Sequence, residues 1–277
     1  MSDTVQFIRT EHEGVVEVRF NRPDKMNALN TDTFNALARI GDELKQDTGL
    51  RAVVLSGEGR CFCAGLDMGN FAKMAEGGGA GVGGKGLEPR THGDANLAQY
   101  VAMVWRDVPV PVIAAVHGAC FGGGMQIALG ADIRYTTPDS QWAVMEVKWG
   151  LVPDMGGMVL VNELVRADIA RDLCYTGRIL SGQEAFDVGL ATRIADNPRE
   201  EALAQARIIA GKSPDAIRAM KRMLNEAITP RDQAARILLE ESREQDRIIG
   251  SPNQVEAVHA NLEKRAPMFA DPGTKTR

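Results

Sequence analysis

The sequence contains no long block of Lys and Arg residues and no apolar stretch long enough to cross a bilayer. It has 277 residues, and 32 Lys and Arg against 37 Asp and Glu give a net charge of −5. These two absences disfavour a nucleic-acid partner and a membrane protein. The first 20 residues also lack the apolar core of a secretion signal, so we expect a cytoplasmic protein.

Cysteine is scarce as well, with four residues at positions 61, 63, 120 and 174. Cys61 and Cys63 are too close in sequence for an easy disulfide, and no Cys and His residues follow with the spacing of zinc ligands. We therefore expect reduced thiols and no metal site. The four histidines have no nucleophile or metal partner in the sequence, and we assign them no role.

The pattern that is present predicts an α/β fold. Residues 15–20 alternate between apolar and polar side chains, as a strand does. A helix is predicted next, because apolar residues follow at three- and four-residue steps, namely Phe34, Leu37 and Leu44 with Gly41 between them. Residues 52–55 form a second apolar strand. A strand, a helix and a strand in this order indicate the α/β class.

From about Glu200 onward the pattern is wholly helical. The last two helices are predicted to span roughly residues 233–248 and 254–265. We therefore predict a mixed core over residues 1–199 and a helical region over residues 200–277.

Two glycine-bearing segments each follow an apolar strand, and they point most directly to a function. They are residues 60–67 (RCFCAGLD) and residues 117–126 (HGACFGGGMQ). Small residues at the end of a strand let backbone N–H groups come close to a ligand. Two such donors aimed at one point would stabilise an enolate oxygen on a thioester.

In this order, the two segments resemble the paired oxyanion-hole motifs of the enoyl-CoA hydratase/isomerase (crotonase) superfamily. Residues 21–29 (NRPDKMNAL) are similar to its first CoA-binding loop, and the resemblance covers nearly the whole chain. It implies a core built as a spiral of ββα turns. It also implies that C-terminal helices join subunits into a homotrimer, or into a hexamer of two trimers. The implied substrate is an acyl-CoA thioester, with coenzyme A as part of the substrate and no permanently bound cofactor.

The resemblance implies that the N–H groups of Ala64 and Gly123 form the oxyanion hole; the alternative is a tight turn between strand and helix. Glu146 lies 20 residues after Gln126, which is the family's spacing for its catalytic glutamate. The alternative role for Glu146 is a surface salt bridge with Lys148, two residues further along a strand.

Gln126 departs from the hydratase pattern, which has a second glutamate there. An amide can orient water but cannot take its proton, so this residue weakens the hydratase interpretation. Asp154 lies eight residues after Glu146, a register that resembles the dienoyl-CoA isomerases. The alternative is that Asp154 caps a helix beginning near Met155.

Further binding residues follow from the resemblance. The predicted CoA contacts are Lys25, Ala28, Leu29, Ala64, Leu66, Asp67 and Lys264. The predicted acyl pocket is lined by Met68, Phe71, Gln126 and Trp149; the alternative for the three apolar residues is packing in the core. A glycine-rich insertion at residues 77–86 is either a cover over this pocket or a flexible linker.

The function implied is that of an enoyl-CoA hydratase/isomerase, in which Glu146 moves a proton at the α-carbon of an unsaturated thioester. Asp154 would then serve the far end of the conjugated system. Two alternatives remain open. One is an isomerase of the dienoyl-CoA type without hydratase activity, and the other is an inert relative that binds CoA or RNA.

Overall fold

The computed structural model of the chain describes residues 4–12, 14–70 and 86–271. Its strands are β1 (Val5–Arg9), β2 (Val15–Phe20), β3 (Ala52–Gly57), β4 (Val112–Val116), β5 (Ala119–Phe121), β6 (Ile133–Thr136), β7 (Gln141–Ala143), β8 (Leu180–Ser181) and β9 (Arg193–Ile194). Its α-helices are α1 (Thr31–Gln46), α2 (Leu97–Asp107), α3 (Gly123–Leu129), α4 (Gly157–Leu164), α5 (Ala167–Thr176), α6 (Gly182–Asp187), α7 (Pro198–Ala210), α8 (Pro214–Ile228), α9 (Arg231–Ile248) and α10 (Pro252–Glu263). Short 3₁₀-helices span Pro23–Lys25 and Glu146–Trp149.

A six-stranded sheet lies at the centre of the described residues, in the order β1-β2-β3-β4-β6-β9. The first pair is antiparallel and the others are parallel. A smaller sheet, β5-β7-β8, stands beside it. Because β5 follows β4 after two residues, the chain passes from one sheet to the other at the glycine-bearing segment 117–126.

Both faces of the central sheet are covered, as is usual for parallel strands. On one face, side chains of α1 and α2 such as Leu37 and Trp105 join the main hydrophobic core. On the other face, Ala202 and Ala206 of α7 pack against strand residues that include Val54. The two glycine-bearing segments follow the carboxyl ends of β3 and β4, two central strands of this packed sheet, which hold them in place.

The predicted α/β class and the helical C-terminal part of the chain are confirmed. The helix predicted over 233–248 is α9, which begins at Arg231, and the helix predicted over 254–265 is α10. The boundary between residues 199 and 200 stays a prediction, and α7, which begins beside it, packs on the central sheet. Among the helices of the described residues, none is both long and apolar enough to cross a membrane.

Two sequence-based predictions fall on residues that the structure does not describe. Phe71 lies outside the described residues. So does the predicted insertion at 77–86, apart from Gly86.

Candidate active site

The structure brings the two glycine-bearing segments together as neighbouring parallel chains. Cys63 and Cys120 form a β-bridge between them. Phe62 N–H donates to the His117 carbonyl at 2.8 Å, and Phe121 N–H donates to the Cys63 carbonyl at 3.0 Å. Segment 60–67 therefore runs alongside β5 and reaches the start of α3.

Gly65 lies where the two segments approach most closely. Its φ of +88° is in the left-handed region, which favours glycine. A Cβ atom at this position would lie 2.8 Å from the Phe121 carbonyl oxygen and 3.7 Å from the Gly123 nitrogen. The Gly123 N–H, at the first residue of α3, donates to no backbone acceptor within the described residues. The free N–H group of Gly123 therefore lies close to the backbone of Gly65.

The structure corrects the predicted second donor. Ala64 N–H donates to the Met26 carbonyl at 3.0 Å, so it is not available to a ligand. Leu66 forms a parallel bridge with Leu29, which bonds to the Gly65 carbonyl and the Asp67 N–H. In a parallel pair the N–H of the bridged residue points away from its partner. The Leu66 N–H has no backbone acceptor in the described part of the chain, and it points away from Leu29.

Glu146 lies beside Gly122, the residue before Gly123. Glu146 is only 9% exposed. A Cβ atom on Gly122 would lie 3.3 Å from Glu146 Oε1. Oε1 accepts a hydrogen bond from Gln126 Nε2 at 2.6 Å, whereas Oε2 is buried without a partner among the described residues. Burial raises the pKa of Glu146 to about 7. Such a carboxyl can both take and return a proton near neutral pH.

The alternative role for Glu146, a salt bridge with Lys148, is wrong. Residues 146–149 form a 3₁₀-helix and not a strand, so the two side chains do not share a face. Lys148 is exposed, and its ammonium group lies 5.7 Å from the centre of the Trp149 ring. The Glu146 carboxyl is therefore free of any counterion within the described residues.

Gln126 links the two predicted acids. Its Nε2 donates to Glu146, and its Oε1 accepts from Met155 N–H at 2.9 Å. Met155 directly follows Asp154. The amide of Gln126 thus fixes Glu146 on one side and the loop of Asp154 on the other.

Asp154 does not cap a helix. The helix that follows is α4, and its N-cap is Gly156. The Asp154 side chain is half-buried and forms no ion pair within the described residues. Burial raises its pKa well above the usual value, and the nearby carboxyls of Glu241 and Glu146 raise it further. The capping alternative is therefore wrong, and Asp154 is a carboxyl whose pKa is raised by its surroundings.

Sequence reasoning missed Glu241, which lies on the buried face of α9. The residue is 4% exposed, and its carboxyl accepts hydrogen bonds from Gly156 N–H at 3.0 Å and Met158 N–H at 2.9 Å. Glu241 lies three residues after the apolar Leu238, on the same side of a helix that the sequence predicts. A carboxyl on the buried side of a helix needs hydrogen-bond partners, so this position could have drawn attention to it.

The predicted CoA residues of the loop 21–29 and of segment 60–67 differ in burial and in hydrogen bonding. Leu29 is buried and Ala28 is half-buried, whereas Lys25 is exposed at the end of the first 3₁₀-helix. Asp67 accepts from Gly69 N–H at 3.3 Å and from Arg22 Nη2 at 3.1 Å, so it fixes its own loop. Arg22, which sequence reasoning also missed, donates in addition to the Ala28 carbonyl. The loop of residues 21–29 is thereby tied to segment 60–67.

Two further predicted residues, Lys264 and Trp149, lie on or beside α10. Lys264 is exposed and ends this helix with a left-handed φ of +55°. Asn261 Nδ2 of the same helix donates to the Lys148 carbonyl at 2.7 Å, so α10 packs beside the 3₁₀-helix of Glu146. Trp149 and Leu66 both pack against a small cluster of Leu151 and Val258, while Met68 is 51% exposed.

The comparisons with known proteins are consistent along the chain. The sequence model of the enoyl-CoA hydratase/isomerase family matches residues 10–272. The probable enoyl-CoA hydratase echA8 of Mycobacterium tuberculosis is 30% identical over 272 residues, which cover 96% of this chain and 98% of that protein. The mitochondrial Delta(3,5)-Delta(2,4)-dienoyl-CoA isomerase of Rattus norvegicus is 32% identical over 228 residues. That match covers 77% of this chain and 66% of the isomerase.

Solved structures share the fold. OdaA of Pseudomonas aeruginosa aligns with a TM-score of 0.81 at 25% identity, covering 94% of this chain and 99% of that one. EchA1_1 of Mycobacterium paratuberculosis also aligns with a TM-score of 0.81, at 27% identity, covering 97% and 99%. Together with the match of the family's sequence model, these likenesses establish that the chain belongs to the enoyl-CoA hydratase/isomerase family.

Proposed function

We propose that this protein moves a double bond along the acyl chain of an unsaturated acyl-CoA thioester, through an enolate. The Leu66 and Gly123 N–H groups would donate to the thioester oxygen, where negative charge develops. Glu146 would take the proton from the α-carbon, and the protonated Asp154 would deliver a proton to the far end of the conjugated system. The observation that carries this proposal is the buried, unpaired Oε2 of Glu146, whose carboxyl lies against Gly122 at the start of α3.

The state of Glu146 supports its role as the base. Its pKa of about 7 leaves a substantial ionised fraction at neutral pH, while its proton affinity is far above that of an ordinary glutamate. Because Oε1 is held by Gln126, Oε2 is the atom left to meet a substrate hydrogen. An inert relative would have no use for an unpaired buried carboxyl oxygen, which costs roughly 1–3 kcal/mol of folding free energy.

The state of Asp154 supports its role as the acid. Burial and the neighbouring Glu241 and Glu146 carboxyls raise its pKa, so Asp154 remains protonated at pH values where an exposed aspartate is ionised. Two carboxyls in different protonation states are what a proton transfer between two carbon atoms needs. After one turnover Glu146 carries the proton from the α-carbon and Asp154 has lost one, and exchange with water restores both.

Hydration is the second candidate function, because the relative named as a probable enoyl-CoA hydratase matches 96% of this chain. In that reaction Glu146 would activate a water molecule by itself. Gln126 cannot share this task as a base, since its amide has no proton affinity in this range and both its ends are already bonded. The isomerase reaction is therefore the one that the side chains favour.

The same proposal includes the CoA contacts and the assembly. Lys25 and Lys264 are exposed and could meet CoA phosphates, and the loop that Asp67 and Arg22 hold would carry the nucleotide end. We further propose a homotrimer or a hexamer of two trimers that works in the cytoplasm. The support for an assembly is the apolar face of α8, which the described residues of this chain leave exposed.

The test is Glu146→Gln, assayed on a small panel of enoyl- and dienoyl-CoA thioesters. Removing the base should lower kcat by roughly 10²- to 10⁴-fold on whichever substrate the wild type converts. Affinity for acetoacetyl-CoA, an enolate mimic, should stay within about threefold because the amides are untouched. Glu43→Gln, at an exposed position of α1, is the matched control and should behave as wild type. Intact turnover in Glu146→Gln would remove Glu146 from the mechanism.

A further inference from the structure

One face of α9 carries polar side chains into the interior. Glu241, Ser242 and Gln245 are all nearly fully buried, and Asp246 follows them on the next position. Burying polar groups is costly unless they are hydrogen-bonded. Where these side chains direct their hydrogen bonds therefore indicates what the helix holds in place.

Two of these side chains hold the loop of Asp154 at both ends. Gln245 Oε1 accepts from Val152 N–H at 3.0 Å, before Asp154. Glu241 Oε2 accepts from Gly156 N–H at 3.0 Å, and its Oε1 accepts from Met158 N–H at 2.9 Å, after Asp154. With Gln126 on the Met155 N–H, side chains from other elements bind four backbone amides around one carboxyl.

The same helix face also holds the chain where the described residues resume. Both carboxyl oxygens of Asp246 accept from Leu87 N–H, at 2.8 and 3.0 Å, and one accepts from Glu88 N–H at 3.2 Å. Ser242 Oγ accepts from Arg90 Nη2 at 2.7 Å. The α9 helix thus fixes residues 87–90 and residues 152–158 relative to each other.

Glu241 has no counterion in direct contact within the described residues. Burial raises its pKa to about 7, while its N–H donors, with Gln99 Nε2 at 3.0 Å among them, and the more distant Arg90 favour the ionised form. Three acidic groups raise the pKa of Asp154: Glu241 and Asp246 from α9, and Glu146 from its 3₁₀-helix. The orientation of the loop and the local charge at Asp154 therefore both depend on α9.

We propose that Glu241 is a positioning residue for Asp154, whose loop it binds through the Gly156 and Met158 amides so that the Asp154 carboxyl meets the acyl chain as a proton donor. This inference rests on the proposed role of Asp154 in isomerisation. Glu241 itself touches neither substrate nor the reacting atoms in this arrangement. It acts through the loop and through its charge.

The experiment compares Glu241→Gln with Glu240→Gln, which changes an exposed neighbour on the same helix. Glutamine keeps the size of the side chain, but one of its two ends is an NH₂ group that cannot accept from an amide. Glu241→Gln should lower kcat for double-bond isomerisation by about tenfold or more, with acetoacetyl-CoA affinity within about threefold of wild type. Glu240→Gln should match wild type in both.

The pH profile gives a readout that a merely structural role would not move. Activity that needs protonated Asp154 is lost as the pH rises through the pKa of Asp154. Removing the negative charge of Glu241 lowers that pKa, so the alkaline limb should move to lower pH in Glu241→Gln. In the background of Asp154→Asn, adding Glu241→Gln should change kcat by less than about twofold, because the two act as one unit.

Hydrogen exchange tests the loop without any substrate. The peptide over residues 152–158 should exchange about tenfold faster or more in Glu241→Gln, while peptides from α7 are unchanged. Equal exchange in Glu241→Gln and Glu240→Gln, equal kcat in the two, or a full loss of kcat on top of Asp154→Asn would each overturn the inference. If the wild type isomerises no dienoyl-CoA, the proposed function fails, and the exchange result still decides whether Glu241 holds the loop.

Discussion

At the scale of single residues, Gln126 decides what Glu146 can do. Its amide donates to one carboxyl oxygen of Glu146 and accepts from the loop of Asp154, so its orientation is fixed from both sides. A glutamate at this position could accept from the Met155 N–H but could not donate to Glu146 unless the two carboxyls shared a proton. Of positions 126 and 146, only Glu146 is thus a carboxyl here, whereas the hydratase pattern has a glutamate at both.

Gln126→Glu should therefore raise the rate of crotonyl-CoA hydration, by about tenfold or more, since the new carboxyl can hold and activate water with Glu146. The rate of hydration is measured for wild type and variant under the same conditions. Gln233→Glu, at an exposed position in the first turn of α9, adds the same charge far from the site and should leave hydration unchanged. A wild type that already hydrates crotonyl-CoA as fast as the variant would contradict this interpretation of Gln126.

The spacing from Gln126 along the chain is sufficient to select Glu146 as a candidate base, and its catalytic role stays a prediction. The sequence was not sufficient to choose between Ala64 and Leu66. Ala64 and Leu66 are two residues apart, so a regular extended chain would point both N–H groups to the same side. The left-handed Gly65 between them breaks that regularity, and only the bond of Ala64 N–H to Met26 and the pairing of Leu66 with Leu29 show which N–H is free. Glu241 was out of reach because its partners are backbone amides more than 80 residues earlier in the chain.

At the scale of elements, α3 packs against segment 60–67 backbone to backbone. A Cβ atom on Gly124 would lie 2.5 Å from the Cys63 carbonyl oxygen and 2.7 Å from Cys63 Cβ. These contacts are too short for any side chain, and neither is the far end of a flexible group. The close approach of helix and segment is what brings Gly123 within reach of Gly65.

Gly124→Ala should push α3 away from Cys63, because a backbone oxygen cannot move aside without moving the segment. We expect a loss of about 1–3 kcal/mol in the free energy of unfolding, measured by urea denaturation. Affinity for acetoacetyl-CoA should fall at least tenfold as the two free amides separate. Gly211→Ala is the control, since a Cβ atom there meets its nearest neighbour at 3.5 Å. A Gly124→Ala protein as stable and as tightly binding as wild type would show that the contact is not needed.

The elements themselves could be predicted unevenly. The long helix α1 could be predicted because apolar residues recur along it over several turns, and the Asn30 side chain caps its start. The buried face of α9 is largely polar, and α9 begins two residues before its predicted start. The 3₁₀-helix at Glu146 could not be predicted, because four residues hold too few turns for a helical period to appear, and the salt-bridge alternative assumes a strand there. Its conformation is fixed instead by packing against α10.

At the scale of the whole molecule, α8 presents an apolar face to solvent in the isolated chain. Met220 is 45% exposed, Leu224 60% and Ile228 55%, at four-residue steps along one side of the helix. Contiguous apolar surface of this kind is usually covered by another protein surface. A second copy of this chain is the partner that the proposed assembly supplies.

Leu224→Glu should therefore dissociate the assembly, because it places a charge in the middle of that face. Light scattering should give about three or six times the 29.9 kDa of one chain for wild type and a lower mass for the variant. Arg222→Glu places the same side chain at an exposed position on the opposite side of α8 and should keep the wild-type mass. A wild type of 29.9 kDa, or a Leu224→Glu variant with unchanged mass, would exclude this face as the contact.

The unpaired Oε2 of Glu146 has a consequence for the stability of the protein without a bound ligand. A folded chain of ordinary stability has roughly 5–15 kcal/mol to spare, so a lone buried acceptor takes a noticeable share of it. Folding alone would favour a methyl group there, and chemistry favours the oxygen. On the proposed function, a substrate hydrogen held against Oε2 would relieve this conflict, so the ligand-bound protein should resist unfolding better than the free protein.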